Sequence, residues 1–175
     1  MCRGVSAVMK EVVSVLKMEG QPSSSGNPWA YDEESVLPTL ATTYPQLPDL
    51  ERLIVEDLDP EYQASALDAT KRLFVGIRVL DRTSVDHSLV SLITRWPIHI
   101  SESFLALCLA RHPVALIILA YSAVHINKRT NMWFNERWPR LIINGVDGVD
   151  GVLKGSQWER WIEWPRRIIL SHVHV

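Results

Sequence analysis

The chain has 175 residues, of which 47% are hydrophobic and 22% are charged, and its formal net charge at pH 7 is −2. This composition is that of an ordinary globular domain, and the length allows one core to form without disulfides or bound metal. It favours neither a disordered chain nor a membrane protein. The two cysteines, Cys2 and Cys108, exclude a disulfide framework and a cysteine-based zinc module.

The amino-terminal segment has the pattern of an amphipathic helix. Its valine, methionine and leucine side chains recur at helical spacing between Arg3 and Lys17, while Lys10 and Glu11 mark the polar side. These charges also interrupt the apolar run that a secretory signal would need. Glycine, proline and serine are frequent in the stretch that follows, so we expect residues 19–46 to form a flexible loop.

The middle of the chain reads as short, packed helices. Apolar side chains recur at helical spacing over residues 47–58, 61–80 and 85–96. The third of these helices is expected to end before Pro97, because proline disfavours helix in the residue that precedes it.

The longest apolar run begins at Pro113, just after a helix that Ser101 is expected to cap. Proline is well tolerated in the first turn of a helix. Residues 113–126 are apolar on nearly every face, which predicts a central helix that is buried on most sides. They fall short of the roughly 20 residues that a membrane-spanning helix needs, so no transmembrane segment is expected. We predict an all-α fold, a single domain of roughly eight packed helices over residues 1–175.

Five of the seven tryptophans lie between Trp133 and Trp164. A tryptophan side chain buries roughly 150–250 Å² when it is packed, so these residues need a shared apolar site. They either build a core or line a pocket. Residues 132–143 are expected to form a helix that is broken or kinked at Trp138-Pro139, and residues 157–164 the last helix.

The glycine-rich repeat GVDGVDG lies within residues 144–156, which we predict to be a flexible loop. Its two carboxylates, Asp147 and Asp150, are too few for a calcium-binding loop, so no metal site is expected there. The histidines lack metal-ligand spacing, and no serine has the setting of an exposed nucleophile. The sequence therefore nominates no catalytic residue and no cofactor, and we do not expect an enzyme.

Four pieces of the chain, in this order, resemble the carboxy-terminal regulatory domain of fungal zinc-cluster transcription factors, in the group that includes the sterol uptake control proteins. They are RWP at residues 95–97, PVALIILAY at 113–121, WFNERWP at 133–139 and WIEWP at 161–165. The sequence CRGVSAVMKEV at residues 2–12 is similar to a helix that the family carries in mid-domain. The resemblance therefore implies a partial regulatory domain.

The resemblance implies a role in RNA polymerase II gene control and a nuclear location, with cytoplasmic retention as a means of control. The six-cysteine zinc cluster that reads DNA in the family has no counterpart here, so this chain is not expected to contact DNA directly. The sequence departs from its relatives at Tyr121-Ser122 and His125, where they often have a His-Tyr or Tyr-Tyr pair, and at Arg137, where they usually have glycine. Because of these two departures, the identity of the ligand is not carried over from the family to this chain.

Three functions follow from the resemblance and the residues. The first is a sensor of a sterol-like apolar ligand, whose hydroxyl would bind a polar side chain of the central helix. The second is a helical dimerisation or interaction module without a ligand, for which a homodimer is expected. The third is an enzyme recruited to an apolar substrate. The candidate ligand-binding residues are Leu116, Leu119, Tyr121, Ser122, His125, Trp133, Trp138 and Trp161.

Overall fold

The computed structural model describes residues 39–82, 96–97, 99–127, 137–149 and 152–170. Every regular element within these ranges is a helix, which confirms the all-α class. The helices belong to two compact units, one within residues 13–100 and the other within the part of the chain from residue 101 onward. The helix predicted between Arg3 and Lys17 lies outside the described residues, as does most of the one predicted at 85–96.

The described part of the first unit contains the helices α1 (Gln46–Asp57) and α2 (Pro60–Arg82), which pack against each other. α1 buries Leu50, Leu53 and Ile54, whose spacing of three and four residues places them on one face. α2 starts at Pro60, where the missing backbone N–H costs nothing because the first turn of a helix has no acceptor for it.

Two aromatic side chains attach flanking segments to α2. The Tyr44 hydroxyl donates a hydrogen bond to the carboxylate of Asp81, and its burial raises the pKa of Tyr44 above the ordinary range. The indole N–H of Trp96 donates to the carbonyl oxygen of Ala69 at 2.7 Å. Both bonds satisfy a polar atom that burial would otherwise leave without a partner, which is the condition for placing such rings in a core.

The loop predicted for residues 19–46 does not extend through its carboxyl end, because residues 39–43 are helical. Leu40 and Tyr44 lie one turn apart and are both buried, and the Tyr44 N–H donates to the Leu40 carbonyl at 2.8 Å. Two apolar anchors at this spacing stabilise a helical turn beside a proline. Residues 19–38 lie outside the described ranges.

In its described residues the second unit has four helices: α3 (Glu102–Leu109), α4 (Pro113–Asn127), α5 (Trp138–Asp147) and α6 (Glu159–Leu170). α3, α5 and α6 all contact α4, and α5 also contacts α6. Every side chain of α4 from Val114 to Ile126 is buried, which confirms the buried central helix predicted at residues 113–126.

Two boundaries in this unit differ from the predictions. The predicted break at Trp138-Pro139 is not one of them, because α5 begins at Trp138 with Pro139 in its first turn, and residues 132–136 lie outside the described residues. α5 also continues to Asp147, so the predicted loop 144–156 is helical at its start. α6 runs through Pro165, where the prediction ended it. Burial of Ile162, Pro165 and Ile169 on one face offsets the hydrogen bond that the proline removes.

Among the described helices, none alone has both the length and the hydropathy of a membrane span. The pair α3 and α4 meets that test of length and composition when the two helices are taken together, but they are bent by 103° at the break between them.

The bend between α3 and α4 is made by a Schellman turn, a helix end whose last carbonyls accept from the next two backbone N–H groups. The N–H of Arg111 donates to the Cys108 carbonyl at 3.1 Å, and the N–H of His112 donates to the Leu107 carbonyl at 3.0 Å. This turn needs one residue in the left-handed region, and Arg111 occupies it with φ 60°. Glycine is the usual residue there because it has no Cβ to clash.

We predict that Arg111→Gly raises the free energy of unfolding by about 1 kcal/mol, because it removes the left-handed strain of a side-chain-bearing residue. Chemical denaturation measures this change. Arg111→Ala is the matched control, since it removes the guanidinium but keeps the Cβ, and it should bring no such gain. An equal gain in unfolding free energy in both variants would mean that the gain comes from removing the charge, and it would contradict the explanation by backbone strain.

Candidate functional site

The structure places five of the predicted ligand-binding residues on α4 and two on its neighbours. Trp138 lies on α5 and Trp161 on α6, and both are half-buried. Trp133 lies outside the described residues. The five on α4, which are all buried, are Leu116, Leu119, Tyr121, Ser122 and His125.

Ser122 was predicted as a partner for a ligand hydroxyl, and the structure shows what its own hydroxyl does. It donates to the Leu119 carbonyl one turn earlier in α4, at 2.6 Å. This bond satisfies the buried donor within the helix. A ligand could therefore donate a hydrogen bond to the Ser122 oxygen but could not accept one from it.

Tyr121 connects the central helix to the tryptophan-rich tail. Its ring stacks on the ring of Trp164 in α6, with centroids 5.2 Å apart and planes inclined by 30°. Such aromatic pairs contribute about 0.5–1.5 kcal/mol beyond the area that they bury. Trp164 was not among the predicted site residues, although the closing WIEWP piece of the sequence was the signal that could have nominated it.

α6 presents a different kind of side chain on each of its sides. Its buried face packs into the unit, and on one flank Trp161, Trp164 and Ile168 are half-buried. The guanidinium of Arg160 lies 5.5 Å from the centroid of the Trp161 ring, within the range of a cation–π contact. The outward stripe consists of the exposed residues Arg160, Glu163, Arg167 and Leu170.

On the opposite flank of α6, Arg166 joins this helix to the end of α5. Its guanidinium donates two hydrogen bonds to the Asp147 carboxylate at the end of α5, at 2.6 and 3.2 Å, and one to Glu159 at 3.3 Å. A bidentate contact between a guanidinium and a carboxylate pairs their charges and also fixes the orientation of one group relative to the other. The side chains of Arg166 and Asp147 are each 25% exposed. This geometry holds the end of α5 against α6.

The turn before α6 is tied to the same cluster. The backbone N–H of Gly155, which has φ 74°, donates to the other carboxylate oxygen of Glu159 at 2.8 Å. This hydrogen bond, together with Arg166, lowers the pKa of Glu159. Within the described residues, no group of three or more histidine, cysteine or acidic side chains could hold a metal ion.

Cys108, the one cysteine that the structure describes, lies buried on α3. Burial raises the pKa of its thiol to about 12, so the sulfur stays protonated at neutral pH. A protonated thiol is a poor nucleophile and a poor metal ligand. Cys108 is therefore a packing residue of the core.

Comparisons with the models of known protein families, with curated proteins and with solved structures found no match to this chain. The resemblance to fungal zinc-cluster regulators remains a prediction from the four sequence pieces.

The Arg166 cluster predicts an acid-labile contribution to stability. Because the folded-state pKa of Glu159 lies below its ordinary value of about 4.3, its ionised form stabilises the fold above that value. This stabilisation is lost as the pH falls through the folded-state pKa. Between pH 6 and pH 3, Glu159→Gln should therefore lose less unfolding free energy than the unmodified chain. Chemical denaturation at a series of pH values measures the difference.

Glu56→Gln is the control, because it removes one carboxylate from an exposed position of α1 in the other unit. The assignment is contradicted if Glu159→Gln and the unmodified chain lose stability in parallel.

Proposed function

We propose that this chain is a helical regulatory domain of a transcription regulator, and that it acts through protein–protein contacts made by α6. Support for the transcriptional role comes from the four sequence pieces that resemble fungal zinc-cluster regulators. In this proposal the chain works in the nucleus, and DNA is read by another polypeptide or segment that carries a zinc cluster.

The single observation that carries the contact role is the state of the tryptophans in the second unit. Trp138, Trp158, Trp161 and Trp164 are all half-buried, so each leaves part of a large aromatic surface open to a partner. Tryptophan and arginine are also the residues that most often dominate binding energy at protein interfaces. Trp161 and Arg160 lie together on α6, in the cation–π contact described above.

Ligand sensing by α4 receives less support from the geometry. The proton of the Ser122 hydroxyl is already used within the helix, and the Tyr121 ring is stacked on Trp164. Close packing around α4 is the ordinary state of a core helix without a ligand. The interaction module is therefore the function that we put forward. Its test includes a separate arm for an apolar ligand.

The test is a reporter gene in fungal cells, with the full chain fused to a DNA-binding module that has no activity of its own. We expect the fusion to change reporter output, and Trp161→Ala to remove most of that change because it takes away a half-exposed aromatic anchor. Glu56→Ala, on an exposed position of α1 in the other unit, is the control and should behave like the unmodified chain.

A reporter that does not respond to the fusion contradicts the transcriptional role. Equal output from the Trp161→Ala and unmodified fusions contradicts the contact role of α6. Sterol depletion is the second arm, since output that follows sterol supply while Trp161→Ala remains active would favour ligand sensing over protein contacts.

A further inference from the structure

The outward stripe of α6 has a symmetry that its composition alone does not show. Its four exposed residues are Arg160, Glu163, Arg167 and Leu170. Residues 163 and 167 are equally distant from Pro165 along the chain, and so are residues 160 and 170. The spacing of the stripe is therefore the same in both directions from the level of Pro165, so a second copy can face it across a two-fold axis that runs between the two helices at that level.

In an antiparallel pair of α6 helices related by that axis, each Glu163 lies opposite Arg167 of the second copy. The pair of helices then contains two equivalent contacts between opposite charges. Arg160 lies opposite Leu170, which is 38% exposed, and the aliphatic stem of an arginine can cover an apolar side chain while its guanidinium stays in water. A parallel pairing would place like charges opposite each other, which is unfavourable.

The flank of α6 supplies apolar area beside these charges. Trp161, Trp164 and Ile168 follow one another at spacings of three and four residues, and each is half-buried. The Trp164 ring is fixed from behind by its stack on Tyr121, so it needs little ordering when a partner covers it. Pre-ordered aromatic side chains lose less entropy on binding.

We propose that the chain forms a symmetric homodimer through α6, with an antiparallel two-fold contact made by the outward stripe and centred at the level of Pro165 along the helix. This inference rests on the proposed function and names the partner of its contact surface as a second copy of this chain. The alternating charges favour a second copy over an anionic lipid surface, which would favour a uniformly basic stripe. A closed two-fold contact is also the commonest way in which identical chains associate.

Sedimentation equilibrium of the full chain over a range of concentrations tests the proposal through charge reversal. We expect a dimer that dissociates on dilution. Glu163→Arg alone and Arg167→Glu alone should each raise the dissociation constant by about tenfold or more, because each places like charges opposite each other. An equimolar mixture of these two variants should associate again, since each arginine then meets a glutamate. The double reversal within one chain should also restore the dimer.

Glu56→Arg, at an exposed position of α1, is the control for a reversed charge away from the contact and should leave association unchanged. A strictly monomeric chain at all concentrations overturns the proposal, whether or not the surface binds a peptide or lipid vesicles. A dimer that survives both single reversals, or a mixture that fails to restore association, also overturns it. A reporter that responds while the chain remains monomeric would refute the dimer and leave the proposed function standing.

Discussion

The structure of the second unit depends on α4, a helix with no polar face. Apolar surface is stabilised by about 25 cal/mol for each Å² removed from water, so a helix whose side chains are buried from Val114 to Ile126 needs neighbours on every side. α3, α5 and α6 are three of those neighbours. α5 and α6 are amphipathic and each turns one apolar face inward. The outward faces of α5 and α6 take no part in this packing, so their side chains are not restricted to apolar ones.

α6 shows how this constraint leads to a surface. Burial of Ile162, Pro165 and Ile169 sets its rotation about its own axis, while Arg166 sets its position relative to the end of α5 through the Asp147 carboxylate. With both fixed, the tryptophans fall on one flank and the alternating charges point outward. The contact surface that we propose is thus a consequence of how α6 is anchored. Its residues all lie on this helix, so their positions do not depend on the ordering of a loop.

The sequence allowed the all-α class and the central helix to be predicted, because both follow from the spacing of apolar residues along the chain. It did not allow the helix ends to be predicted where tertiary contacts decide them. α6 continues through Pro165 because that side chain is buried, and residues 39–43 are helical because Leu40 and Tyr44 are covered. The site was predicted only in part for the same reason. The stack of Tyr121 on Trp164 joins residues 43 positions apart, and no local pattern encodes such a contact.

The Tyr121–Trp164 stack is the aromatic contact that holds α6 on the buried helix α4. A double-mutant cycle with Tyr121→Leu, Trp164→Leu and the two together tests it directly, with unfolding free energies from chemical denaturation. We expect that the loss of unfolding free energy in the double variant differs from the sum of the two single losses by about 1 kcal/mol, as for an aromatic pair in contact. Losses that add to within about 0.3 kcal/mol, as they do for independent sites, would contradict it.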